Sequence, residues 1–255
     1  MEYLTKKWTL ISAIAALSMF MACTEDPTGQ DTNEDPASRH TDAFVDVFVK
    51  HVKNKQGADK YGLVFYAGGQ GLTAVKAKAP DNAEYDLAEF WKGPGNLRRH
   101  PANNELQNSM PQTGTYEFTL TFDNGDSFNL NDTLFTDAID AVSGASVVHR
   151  PGTDTVKVSW NAVSGVNTYY VKLTDKHKNE TKPIFVNKKV SKTSTYYEFT
   201  HQTTARPGWM QPTKPAAGDT CYVFIVGVKF EAGKSDAAAD QNKQMNTAAG
   251  KMIIW

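Results

Sequence analysis

Along most of the chain, apolar and polar residues alternate with a period of two, the spacing of strands with one buried face. Phe44 to Lys50 sets Val45, Val47 and Val49 against Asp46, Phe48 and Lys50. Tyr61–Tyr66 and Leu72–Lys78 read as further strands, with Gly68, Gly69 and Gly71 marking the turn between them. Tyr116 to Phe122 alternates cleanly and runs into Asp123-Asn124-Gly125-Asp126, after which Ser127 to Leu130 returns. Asn-Gly between two alternating runs is the strongest short-range hairpin signal. A second block repeats the pattern: Thr155–Trp160, Thr168–Thr174, Ile184–Val190, Ser194–Thr200 and Gly218–Val228, closed by Lys251–Trp255. Lys92 to Pro111, rich in Gly, Pro and Asn, reads as a long irregular loop. These elements predict an all-β protein with two tandem β-sandwich domains, Ig-like over 41–140 and a second sandwich over 143–255.

The first residues follow a different pattern. Lys6 and Lys7 precede an uncharged, mostly apolar stretch from Thr9 to Ala22. It falls short of the ~20 residues a bilayer-spanning helix needs and has the form of a secretion signal. The stretch ends in Phe20-Met21-Ala22-Cys23, which resembles the lipobox of bacterial, Bacteroidales-type lipoproteins, with Phe20 where that family usually has Leu. The resemblance implies that 1–22 is removed and that Cys23 carries the lipid, with palmitate among its chains. One acyl chain binds a membrane only marginally; two or three hold nearly permanently, because each buried CH₂ contributes ~0.8 kcal/mol. Residues 23–40 then carry Glu25, Asp26, Asp31, Glu34 and Asp35 against one Arg39, with no large apolar side chain. Such a segment cannot offset its ordering entropy and reads as a disordered tether. The acids that follow the lipid cysteine also resemble the surface-export signal of the same lipoproteins, which implies an outer-membrane anchor facing the cell exterior.

Composition narrows the function classes. The 255 residues hold 27 basic and 28 acidic side chains, a formal net charge of -1, which gives no support to nucleic-acid binding. Two cysteines exclude a disulfide scaffold or a Cys-rich zinc module.

The second block resembles fibronectin type III domains. The carriers are Val156-x-Val158-x-Trp160 on an early strand, Tyr169-x-Val171-x-Leu173 on the next, and Gly218-x-x-x-Tyr222 with its aliphatic run late on. The Ala232-Gly233-Lys234-Ser235 hairpin follows. The resemblance implies that Trp160 packs in the core and that Tyr222 is the tyrosine-corner residue, its hydroxyl bonded to upstream backbone. Ala237 to Ala249 departs from the pattern and reads as a polar, Ala-rich insertion before the last strand.

Few residues carry chemistry on spacing alone. The six histidines (His40, His51, His100, His149, His177 and His201) form no metal-binding spacing, and no catalytic residue, metal site or cofactor is expected. Cys221, beside Tyr222 on a central strand, reads as a small core hydrophobe. Lys172, Lys176, Lys178, Lys182, Lys188, Lys189 and Lys192 form a basic hairpin suited to an acidic partner or to a solvated strand face. Trp209, in Arg206-Pro207-Gly208-Trp209, and Trp91, in Phe90-Trp91-Lys92-Gly93, lie on loops where an aromatic face can stack on a sugar or anchor a protein.

The expectation is a non-enzymatic, lipid-anchored binding or structural protein at the cell surface. Its contacts are the membrane through Cys23 and a glycan or protein through Trp209, Trp91, Lys188 and Lys189. The alternatives are an accessory glycan-binding subunit of a polysaccharide-uptake system and an adhesin or pilus-type structural subunit. Oligomeric state is open.

Overall fold

The computed structural model describes residues 36–89, 94–175, 183–205, 207–211, 214–235 and 241–255. The signal segment, Cys23, Trp91 and Lys176–Lys182 of the basic hairpin lie outside them. The tether reading extends to His40, but its last residues are ordered. Pro36–Arg39 is one helical turn, α1, and the His40 ring stacks on Phe122 at 3.7 Å. Asp126 accepts from His40 at 3.0 Å and pairs with Arg39 at 3.2 Å, which ties this segment to the Asn124-Gly125 hairpin.

The first half of the chain forms β1 (Phe44–Lys53), β2 (Asp59–Gly68), β3 (Leu72–Lys78), β4 (Glu84–Glu89), β5 (Asn96–Arg99), β6 (Gly114–Phe122) and β7 (Ser127–Leu134). One layer is β1-β2-β5 and the other β4-β3-β6-β7, and β4 pairs with both β3 and β5, so the layers join along it. Phe65 on β2 meets Phe118 on β6 edge-on at 6.0 Å across the core. The β6–β7 turn bonds Phe122 N–H to the Asp126 carbonyl and Gly125 N–H to the Phe122 carbonyl. Gly125 takes φ +86°, the left-handed position that a three-residue hairpin loop reserves for glycine.

The second half forms β8 (Ser146–Arg150), β9 (Thr155–Ser159), β10 (Thr168–Thr174), β11 (Phe185–Ser191), β12 (Tyr196–Phe199), β13 (Pro207–Trp209), β14 (Thr220–Phe230) and β15 (Lys243–Ile254). The three-stranded sheet β12-β9-β8 faces β13-β11-β10-β14-β15. Trp160 packs on Tyr169 at 5.1 Å, and Phe185 stacks on Phe199 at 4.4 Å, both across the gap between sheets.

Two sandwiches are present, but one sheet runs through both. The end of β1 pairs parallel with β15, Val49 opposite Met245 and His51 opposite Thr247, so twelve strands form a continuous hydrogen-bonded order. The connection between them is packed down. Thr247 Oγ1 accepts from Val142 N at 2.9 Å, and buried His51 places Nδ1 2.9 Å from the Ile139 carbonyl and Nε2 2.8 Å from Asp59 Oδ1. One core cluster accordingly contains residues of both halves, from Val47 to Trp255.

The expected insertion at Ala237–Ala249 and the loop at Lys92–Pro111 both need correction. β15 begins at Lys243, with Met245 and Thr247 fully buried. Its small residues read as loop-like but serve close packing: a Cβ on Gly250 would come within 2.6 Å of the Phe224 ring. The loop contains β5 and a 3-10 turn at Asn103–Glu105.

Candidate functional site

A cavity of about 400 Å³ opens at the end of the first sandwich where β2 and β5 meet the 101–112 segment. Tyr61 and Gln107 exchange two backbone hydrogen bonds of 2.9 and 2.8 Å, which pins the segment to β2. At Gly62 the approach is so tight that a Cβ would lie 2.7 Å from Pro101 and 2.8 Å from Leu106. Glu105 braces the turn, accepting from Ala102 N–H at 2.6 Å and from the Arg99 guanidinium at 2.5 Å. Arg99 lies over the Tyr85 ring at 4.7 Å, and Tyr85 packs on Phe65 at 4.8 Å. The wall is completed by Asp81, Asn104, Gln107 and Gln112. It is a concave, mainly polar surface of planar hydrogen-bonding side chains over a braced aromatic floor, suited to a ligand with many hydroxyl or amide groups.

Tyr116 lines the same cavity from β6 and donates its hydroxyl to the Gln112 carbonyl four residues upstream at 2.7 Å, while burial pushes its phenol pKa up. This is the tyrosine-corner geometry. The first sandwich thus carries such a corner at Tyr116. Over the first half of β14 the buried positions are Cys221, Val223 and Ile225, so alternation turns Tyr222, half-buried, to the opposite face. Cys221 occupies the inward site instead, and burial raises its thiol to about 11, which keeps it a protonated core group. Trp160 is in the core at 4% exposure.

Among the described residues, the other sequence candidates do not gather at the cavity. Trp209 is on β13, paired with β11, and its indole N–H donates to the Thr200 carbonyl at 3.1 Å. Its ring packs beside Phe185 at 5.2 Å, His201 at 5.1 Å and Trp255 at 6.1 Å and is half-buried, so it helps to close the sandwich end. The short β13 carries no alternation because it pairs only three residues, and for that reason the segment reads as a loop. Lys188 approaches the Tyr170 ring at 5.9 Å, while Lys189 is exposed beyond it. Arg99, Tyr85 and the Asn103–Glu105 turn escaped sequence reading because they come together only through sheet pairing; Pro101 and Gly62 were the local signals.

One group of potential metal-ligating side chains occurs among the described residues. Asp46, Asp132 and Glu231 bring one carboxylate oxygen each within 4.8 Å of the others. No helix among the described residues is long and apolar enough to cross a membrane.

No family model matches the chain, and no curated protein matches it. Among solved structures it is similar to the FN1-FN3 domains of chicken CNTN1, with 13% identity over 82% of this chain and 63% of that one, at a TM-score of 0.30. A two-domain fibronectin type III segment of chicken tenascin shows 10% identity over 75% of this chain and 92% of that one, TM-score 0.29. The CD2-binding domain of CD58 shows 8% identity over 82% and 92%, TM-score 0.23. The chain therefore spans less than two thirds of the CNTN1 segment. The strand order itself defines the class of protein: an all-β chain of two β-sandwiches joined through one shared sheet.

Proposed function

We propose that the chain is a lipid-anchored, non-enzymatic binding protein of the outer membrane, and that the β2–β5 cavity receives a polar ligand of the glycan class. The single observation that carries the binding reading is that cavity, preshaped by Pro101, Gly62 and the Arg99–Glu105 pair and walled by hydrogen-bonding side chains. The burial of Cys221 supports a non-enzymatic role for that thiol. The anchor is supported by the cationic, apolar and Ala22-Cys23 sequence of the first residues. Confinement to a membrane surface raises the effective concentration of such a module, so that modest affinity suffices.

The binding test is isothermal titration of the full chain in detergent against a panel of neutral and acidic polysaccharides. At least one is expected to bind, and Asn104→Ala/Gln107→Ala, two exposed positions on the wall, is expected to weaken it roughly tenfold, the cost of one or two lost hydrogen bonds. No heat with any polysaccharide, or binding unchanged in the double variant, removes the glycan reading. The anchor is tested separately by labelled palmitate in growing cells, which is expected to enter the natural chain and not Cys23→Ala.

A further inference from the structure

The three carboxylates at the joint between the sandwiches come from distant parts of the chain. Asp46 lies on β1, Asp132 on β7, and Glu231 directly follows β14. Backbone bonds fix each one. Asp132 Oδ2 accepts from Val47 N–H at 2.6 Å and its Oδ1 from Thr133 N–H at 2.8 Å. Asp46 Oδ1 accepts from Lys243 N–H at 3.0 Å, and Glu231 N–H donates to the Asn242 carbonyl at 3.0 Å. One oxygen of each lies within 4.8 Å of the other two.

A second observation, independent of this spacing, is the state of Asp46. Its side chain is 1% exposed, and Oδ2 has no hydrogen-bond partner. A buried carboxylate with an unpartnered oxygen, beside two further carboxyls, is a costly arrangement without a positive charge or a proton. The cations acting on the group are Lys243, on Asp46, and Lys234, on Glu231, against three acids.

We propose that Asp46, Asp132 and Glu231 form a binding site for a calcium ion that clamps the two sandwiches together. All the donors are hard oxygens, the ligands of calcium and magnesium rather than of zinc or copper. Calcium–oxygen bonds of ~2.3–2.6 Å let one ion span oxygens up to ~5 Å apart, which covers the observed spread, whereas magnesium at ~2.0–2.1 Å spans only ~4 Å. The ion supplies Asp46 Oδ2 with its missing partner. It also ties β1 and β7 of the first sandwich to the β14–β15 hairpin of the second, beside the existing Asp46–Lys243 bond. This inference is independent of the glycan cavity, which shares none of these residues.

The test is thermal unfolding and isothermal titration of the full chain in detergent after chelator treatment, with calcium or magnesium chloride added. Calcium is expected to bind at one equivalent and to raise the melting temperature by roughly 5–10 °C at a hundredfold excess over Kd. Asp132→Asn and Glu231→Gln should each weaken binding by tenfold or more, while Asp86→Asn, an exposed acid on β4, should leave it unchanged. If Asp132→Asn fails to fold, Glu231→Gln, half-buried at a strand end, carries the test alone. Absence of heat and of any shift at about 5 mM calcium, or a shift that survives in Glu231→Gln, overturns the site. An equal response to magnesium overturns its assignment to calcium.

Discussion

The two sandwiches close the corresponding end of their sheets by different means. In β6 the first buried side chain is Tyr116, whose hydroxyl reaches the Gln112 carbonyl; in β14 it is Cys221, too small to reach anything comparable. The second sandwich instead exchanges backbone bonds between Trp255 and the Gly218-Asp219 turn, at 2.7 and 2.8 Å, and packs Trp209 against Trp255 and Phe185. A directed hydrogen bond thus holds one end, and buried aromatic area holds the other. The first solution leaves a cavity lined by the tyrosine; the second fills the equivalent space.

The contrast predicts unequal costs. Trp209→Ala should remove the most, roughly 3 kcal/mol, because a large ring and its packing are lost at once; urea unfolding midpoints measure it. A cost below about 1 kcal/mol would mean that the aromatic closure is dispensable.

Next in size is an acid effect at the shared sheet. Burial, with the charges of Arg98, Lys50, Lys172 and Lys243, lowers the His100 pKa to about 2. The unfolded chain takes up this proton below its ordinary pKa of about 6.5 and the folded chain does not. Stability is therefore complete above that pH and falls as pH drops through it, by about 2 kcal/mol at pH 5. His100→Gln should flatten that part of the profile; an unchanged acid slope would show that other groups set it.

The smallest effect is expected from Tyr116→Phe, which keeps the ring and loses one hydrogen bond, about 1 kcal/mol or slightly more if the Gln112 carbonyl finds no water. If this substitution equals Trp209→Ala in cost, the distinction between the two closures fails.

Most strands were legible because a one-sided sheet writes a period-two pattern into the sequence, as from Tyr116 to Phe122. Legibility failed where other constraints governed. β15 begins among Gln244, Asn246, Thr247 and two alanines, because its neighbours Phe224 and Val142 require small side chains and a hydroxyl rather than bulk. β5 is only four residues long, too short to show alternation. Tyr222 is half-buried rather than in the core because the inward position belongs to Cys221, and in a strand one position reverses the face. Of the candidate sites, the cavity was hidden because its walls meet through pairing of β2 with the 101–112 segment. The carboxylate triad was hidden because its members are separated by most of the chain.

The parallel pairing of β1 with β15 sets the order in which the molecule can be completed. The bond from Lys243 to Asp46 closes across 197 positions, so the seam between the halves forms only after nearly the whole polypeptide is available. Until then β1 and β15 are both bare borders, each a template for a neighbouring copy. Cutting the chain into its halves would recreate that state permanently, and the severed pieces would be expected to stick to one another or to themselves.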